Sequence, residues 1–584
     1  MPDSPTTNGT QRTPARLTRL LRAVCCWPGQ IWRPLLISAG SGSALAFAYP
    51  RWDMSWLVWI ALVPMMVALW FLVPGSGWRR AAKAALCGWT GGCAFFLINL
   101  WWITEVSGIG WIAVCLYLAL YFAIWAAIIT GIGRPNFTSA PSATEQTSLS
   151  KRMFATSLES LRVAVFSAAT WTALEWVRGW MFTGFGWNGL GVALHDNLVL
   201  IQIADIVGVT GISFFVMLAI TTIATTVVRL FFEVRHARIR PHADFFIVVA
   251  VFMGLFFYGT DKIREHSTPS ANSASDHQPL KCLVIQPNIA QEVKWEELYA
   301  PDILNKFYDA TEAGSDQDTD LVVWPETALP YALNSRTTED FLNDVLKMGN
   351  FALAFGINDV QADDEFYNAL ALVKGNYSSV RVYRKIHLVP FGEYIPLRRD
   401  FPPFEWIAGG EVAGDFNRGT DAIPLPLPGS EAAAPVEIIP LICFEDTVGE
   451  LARKFVTPNA QLMVIVTNNG WFNDSANSVQ HVANAKFRCI ELRRPMLRSA
   501  NTGITCHIEA TGRIAAKINP GPSVAFTLPS DFLIAQVDIA PQSKPTFYAS
   551  NGDLFSKVMA GIVSFWLIVS FARQKRRAKR GSRL

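Results

Sequence analysis

The chain has 584 residues, of which 51% are hydrophobic and only 17% charged, and it carries 21 tryptophans. That is too long for one soluble domain and too apolar for several, so the composition implies a membrane protein bearing a soluble part. A formal charge of +3 leaves no footprint for nucleic acid.

A bilayer core about 30 Å thick takes roughly 20 apolar residues per helix. In chain order, seven such stretches lie near 34–49, 54–73, 83–103, 109–132, 160–182, 208–231 and 244–260, and an eighth near 554–572. The expected division is a basic cytoplasmic N-terminus at 1–33, a membrane domain of seven transmembrane helices at 34–260, an extracytoplasmic domain at 261–550, an eighth transmembrane helix at 551–573 and a basic tail at 574–584. The 261–550 domain is long enough to bury its own core.

Lys and Arg mark cytoplasmic loops. Arg12, Arg16, Arg19, Arg22 and Arg33 precede the first span, and Arg79, Arg80 and Lys83 lie between the second and third. Arg134, Lys151 and Arg152 follow the fourth, whereas the 180–197 loop has neither residue type. The alternation sets the large domain outside the cytoplasm and returns the tail inside. Residues 134–157 read as a flexible cytoplasmic loop. "ALAFA" at 44–48 resembles a small-residue cleavage site, so the first segment also fits a signal peptide.

Glu175 and Arg178 lie three apart on one face of the fifth span. Ionisable groups at that depth are costly unless paired or functional, and a structural ion pair and a lipid headgroup site both fit. The loop that follows, "FTGFGWNGLGVALHDN", is aromatic and Gly-rich and suits a platform for lipid chains.

Cys25, Cys26, Cys87, Cys93, Cys115, Cys282, Cys443, Cys489 and Cys506 show no CxxC or Cys/His metal spacing, so no metal is expected. Cys282, Cys489 and Cys506 suit burial as thiols, with disulfides as the alternative in an oxidising compartment.

Within 261–550, "CLVIQP", "LVVWPE", "FALAFGI", "ALALV", "VEIIPLICF", "LMVIVTN", "LRSAN" and "TCHIEA" read as buried strands. "APDILNKFYDATEAG", "TTEDFLNDVLKMG" and "SVQHVANAKFRCIELRR" alternate with them as helices, which predicts an α/β domain. Three polar residues close strands: Glu326 after "LVVWP", Lys385 after "VRVYR" and Cys443 after "VEIIPLI". Strand ends facing loops are where such folds place their sites. Each also has a bland reading, as a helix-start acid, a solvated strand end and a core thiol respectively.

"WPET", "YRKIHLVPFGEYIP" and "CFED" together resemble the nitrilase, or carbon-nitrogen hydrolase, superfamily, and most closely its membrane branch, the bacterial apolipoprotein N-acyltransferases. "QPNIAQEVKW" at 286–295, "FYNALAL" at 366–372, "NNGWFNDSANSVQHVANAKFRCIELRRPMLRSANTG" at 468–503 and "LEWVRGWMFTGFGWNGLG" at 174–191 extend the resemblance over nearly the whole chain. It implies about eight transmembrane helices joined to an αββα sandwich with a Glu326-Lys385-Cys443 triad, and no cofactor.

Chemistry gives each residue a task. A free thiol with a pKa near 8.5 is mostly protonated at neutral pH, so Glu326 is the candidate general base. Lys385 is expected to lower the thiol pKa and to stabilise an oxyanion, and the resemblance adds the Phe444 backbone N–H as second donor. Glu393 is assigned to orienting Lys385 or the base; Glu445, Asn368 and Trp295 match family positions, and the resemblance implies a place beside the thiol for Glu445, hydrogen bonding around the site for Asn368 and a lipid-facing rim for Trp295. Phe444 stands where the family often has tyrosine.

The implied reaction is a ping-pong transfer. Cys443 takes an acyl chain from a membrane glycerophospholipid as a thioester and passes it to the α-amine of an S-diacylglyceryl cysteine at the N-terminus of an apolipoprotein. The expected setting is a bacterial inner membrane with the catalytic domain facing the periplasm, and the expected state is a monomer. Two alternatives remain: a membrane-bound amidase or nitrilase in which water resolves the thioester, and a transporter or receptor whose external domain only binds. The last requires Glu326 and Lys385 to lie far from the thiol.

Overall fold

The structure, a computed structural model, describes residues 28–135, 149–235, 240–267, 278–361, 365–398, 415–428, 435–472, 475–518, 530–539 and 544–581. The basic N-terminus up to residue 27, with Cys25 and Cys26, and residues 582–584 of the tail lie outside the described residues.

All eight apolar stretches fall on helix. Among the described residues, five helices are long and apolar enough to cross a membrane: Gly77–Asn99, Gly108–Gly131, Ala204–Arg235, Ala243–His266 and Leu554–Arg573. The expectation of about eight spans is not met by that measure, and the sequence shows why. The second stretch breaks into a 3₁₀ turn, Ser55–Trp59, and a helix, Val63–Phe71, that starts afresh at Pro64, a residue suited only to a first turn. The helix Leu149–Arg178 carries Lys151, Arg152, Glu159, Arg162, Glu175 and Arg178. It begins inside the stretch read as a loop, where the Ser157 hydroxyl reaches Pro241 O at 2.7 Å, and just beyond that stretch Arg162 forks onto Glu159 at 2.8 Å. Of that expected loop, residues 136–148 lie outside the described residues. The first helix, Pro28–Ala46, runs into core residues Leu45, Ala46, Ala48 and Tyr49 of the membrane half, so the segment resembling a signal peptide is built into the fold.

Glycines let these helices approach closely. A Cβ on Gly88 would stand 2.5 Å from Phe122 O, and one on Gly92 would stand 2.9 Å from Ala119 Cα.

The remaining chain forms two six-stranded sheets. The first contains β1 (Gln278–Gln286), β2 (Leu321–Trp324), β3 (Ala352–Val360), β4 (Phe366–Lys374) and β5 (Arg381–Arg384), while the second contains β6 (Leu425–Pro426), β7 (Glu437–Ile442), β8 (Ala460–Thr467), β9 (Met496–Ala500), β10 (Thr505–Ile508) and β11 (Ile514–Ile518). With β12 (Asp531–Ile539), the orders are β12-β1-β2-β3-β4-β5 and β11-β10-β9-β8-β7-β6. β1, β2 and β3 run parallel, as do β7, β8 and β9. Near-continuous runs such as "AQLMVIVT", buried at every position, are what a sheet covered on both faces requires.

The sheets face each other across Val284, Val323, Ala354 and Leu370 on one side and Ile442, Val464, Val466 and Leu497 on the other, where the Ser499 hydroxyl reaches Ile285 O at 2.7 Å. Helices Ala300–Gly314 and Arg336–Leu346 cover the outer face of the first sheet through Ile303, Phe307 and Leu342. The helix Asn477–Leu492 covers the second, completing an αββα sandwich. Its Val482, Ala485 and Cys489 face the sheet, while Ala483, Phe487 and Ile490 join the core of the membrane half.

Candidate active site

Parallel strand ends bring the site together. Cys443 follows β7 and opens a 3₁₀ turn, Cys443–Thr447, with φ of +51°. That left-handed conformation is strained for a residue with a Cβ and turns the thiol off the strand line. Glu326 follows β2 through Pro325 and is 7% exposed. Its backbone lies so close to β3 that a Cβ on Gly356 would come 2.5 Å from Glu326 Cα, so only glycine fits there. Lys385, 1% exposed, follows β5 and donates its backbone N–H to Asn368 O at 2.8 Å.

The side chains then close a network. Lys385 Nζ stands 2.7 Å from Glu393 Oε1 and 3.7 Å from Glu326 Oε1. Asn368 Nδ2, from β4, donates to Glu326 Oε1 at 2.7 Å and to Glu393 Oε1 at 2.9 Å. Glu393 is fixed in turn by Val389 N–H on its Oε2, at 2.8 Å. Burial alone would lower the Lys385 pKa, but the Glu393 and Glu326 carboxylates outweigh it and hold the ammonium above its ordinary value.

Cys443 is half-buried, and the charges of both Glu326 and Lys385 act on its thiol. Burial first and the Glu326 carboxylate second push that thiol up to about 12, against Lys385 and a hydrogen bond with Thr467. The Lys385 charge acts in the expected, lowering direction, and burial outweighs it. A thiol raised in this way gives up its proton only to a base.

Glu445, fully buried, accepts from Tyr383 OH at 2.9 Å, Ile386 N–H at 2.8 Å, His387 N–H at 2.8 Å and Ile442 N–H at 2.9 Å. It pins the chain after β5 to the chain before the nucleophile. Burial pushes its carboxyl up to about 7 despite Lys385 and those donors. Phe444 points towards the membrane half, where its ring stacks on Trp187 at 2° and 6.2 Å, and it also stacks on His387 of its own domain at 25° and 5.8 Å. Trp295 is 51% exposed, outside this network.

Several residues escaped the sequence reading. Lys294, 2% exposed, donates from Nζ to Glu326 O at 3.0 Å. Behind the nucleophile turn, Asp446 is buried between His481 Nε2, at 2.9 Å, and the Arg498 guanidinium. Burial would raise Asp446, but His481 and Arg498 hold it below the usual carboxylate range. Asp446 adjoins the "CFE" motif and was visible there; Lys294 and His481 had only their place in long matching segments as a signal.

Glu175 and Arg178 come close to this region without pairing. Glu175 Oε1 accepts from Trp171 Nε1 at 2.8 Å and Leu190 N–H at 2.6 Å, and Arg178 Nη2 donates to Trp187 O at 3.3 Å. Glu175 Oε2 and Arg178 Nε are buried and meet no polar partner. Both residues line a cavity of about 520 Å³ that also reaches His387 and Phe444. Cys87, Cys93, Cys115, Cys282, Cys443, Cys489 and Cys506 are free thiols. Asp53, His195 and Asp196 are close enough together to hold an ion, but they lie apart from the triad and Lys486 Nζ stands 3.6 Å from Asp196.

Residues 41–222 match the family described as apolipoprotein N-acyltransferase N-terminal domain, and residues 284–539 match carbon-nitrogen hydrolase. Apolipoprotein N-acyltransferase of Bradyrhizobium diazoefficiens is 28% identical over 581 residues, covering 94% of this chain and 96% of the relative. The protein of that name from Chlorobaculum tepidum is 27% identical, covering 93% and 97%. Among solved structures, Nit3 of Saccharomyces cerevisiae, a nitrilase-superfamily member, is 16% identical with a TM-score of 0.34, covering 45% of this chain and 90% of that one.

Proposed function

The chain belongs to the apolipoprotein N-acyltransferase family, the membrane branch of the carbon-nitrogen hydrolase superfamily, and on that premise we propose the following chemistry for its site. Glu326 takes the Cys443 proton as the sulfur attacks the ester carbonyl of a glycerophospholipid. Lys385 Nζ and the Phe444 backbone N–H bear the oxyanion, and one such donor is worth about 3 kcal/mol. As the tetrahedral intermediate collapses, the ester C–O bond breaks, Glu326 returns the proton to the leaving oxygen, and a lysophospholipid departs. The acyl group remains as a thioester on Cys443.

In the second half, the α-amine of an S-diacylglyceryl cysteine attacks the thioester carbonyl. The C–N bond forms, the C–S bond breaks, and the amine proton passes through Glu326 to the thiolate. An amide is more stable than a thioester, so the step needs no nucleotide. Glu393 and Asn368 orient Lys385 and Glu326, Glu445 holds the two strand ends together, and Trp295 forms the lipid-facing rim. Glu175 and Arg178 offer the donor's polar headgroup an anionic and a cationic side in the adjoining cavity. The protein works as a monomer in the bacterial inner membrane, with domain 261–550 on the periplasmic side.

The observation that carries this reading is the convergence of Glu326 and Lys385, 3.7 Å apart from the ends of β2 and β5, on a thiol at the end of β7 whose proton both charges act upon. Incubating the purified chain with phospholipid and a diacylglyceryl peptide tests it. The peptide is expected to gain one acyl chain on its α-amine; release of free fatty acid with an unmodified peptide would establish a hydrolase instead.

A further inference from the structure

We propose that Lys294 is a positioning residue for Glu326, its ammonium supplying the second positive charge that keeps the base carboxylate able to accept the Cys443 proton. The inference rests on Glu326 being that base.

The charge count motivates it. Glu326 and Glu393 are two carboxylates sharing one cation, and Lys385 stands closer to Glu393, at 2.7 Å, than to Glu326, at 3.7 Å. Left so, the cluster carries a net negative charge while it must still generate a thiolate. Lys294 restores the balance. Its ammonium is 2% exposed and makes no ion pair within 4 Å among the described residues; its one hydrogen bond there goes to the Glu326 main-chain oxygen at 3.0 Å. Burying a lysine without a carboxylate contact is costly, so a neutral side chain would suit a purely structural plug better. Burial pulls Lys294 down to about 8, with the Glu326 charge opposing it, so it stays mostly protonated at neutral pH.

The groups that bear on Glu326 are Lys385 from the end of β5, Cys443 from the end of β7, Glu393 through Asn368 on β4, and Lys294. Beside Lys294, the ring of Trp295 lies 6.0 Å from its nitrogen. Removing a cation disfavours a neighbouring carboxylate's charged form, so the acidic limb of any process needing the Glu326 carboxylate moves to higher pH.

The test is the pH dependence of Cys443 alkylation by iodoacetamide in the detergent-purified full chain, read by mass spectrometry of the Cys443 peptide. Lys294→Gln keeps a donor for Glu326 O and loses the charge. Its acidic limb is expected to move up by about one pH unit, making alkylation roughly tenfold slower below the limb, with rates converging above it. Lys294→Arg keeps the wild-type limb. A wild-type limb in K294Q overturns the proposal, whatever the absolute rate. A K294Q chain that fails to fold while K294R folds marks a structural role and overturns it equally. Glu326→Gln separates the premise: if E326Q keeps the limb, the base assignment fails and Lys294 with it, whereas loss of the limb in E326Q beside an unshifted K294Q sinks only Lys294.

Discussion

Glu445 shows how one side chain can fix the geometry of a candidate site. Its two oxygens collect Tyr383, Ile386, His387 and Ile442 as donors, tying the segment that follows Lys385 to the strand that ends in Cys443. In Glu445→Gln an amide NH₂ would face some of those N–H groups and leave buried donors unmet. The expected cost is about 3 kcal/mol, with loss of Cys443 acylation. Thermal melting in detergent together with an acylation assay checks it; an unchanged midpoint and rate would remove the clamp role. At this scale the convergence of Glu326, Lys385 and Cys443 was legible because each ends an apolar run, a pattern local sequence displays. The net upward push on the thiol was not legible, since it depends on how deeply three distant segments bury one sulfur.

The helix Asn477–Leu492 joins the two halves of the protein. Gln480 Oε1 accepts from Trp102 Nε1 at 3.0 Å and Trp187 Nε1 at 2.9 Å, while its Nε2 donates to Pro50 O at 2.8 Å and Asn99 O at 3.0 Å. One amide therefore satisfies three segments of the membrane half, and Trp187 carries the contact on to Phe444 beside the nucleophile. Gln480→Leu leaves two buried indole N–H groups and two carbonyls unpaired. It is expected to cost about 2–4 kcal/mol and to slow acylation as the Trp187 stack loosens. Equal melting and acylation in Q480L and wild type would contradict this. The helix was predicted from "SVQHVANAKFRCIELRR", but its buried polar residues were not explained there. Their partners lie hundreds of residues away: 378 separate Gln480 from Trp102.

At the scale of the whole molecule, a hydrolase sandwich is set against a membrane bundle so that one of its α-layers, Asn477–Leu492, is shared by both cores. The cavity between the halves runs from Glu175 and Arg178 to Phe444, the residue next to Cys443. The α/β alternation and the apolar stretches were readable because burial on both faces writes itself into runs of Val, Ile and Leu. Whether each stretch crosses as one helix was less so: Pro64 divides the second, and charge along Leu149–Arg178 dilutes the fifth. The central claim is that acyl transfer passes through Cys443. Intact mass spectrometry of the purified chain after incubation with phospholipid alone tests it directly. The account predicts one acyl adduct, labile to hydroxylamine, absent in Cys443→Ala and discharged by an acceptor peptide amine; transfer that proceeds with no adduct on Cys443 would contradict it.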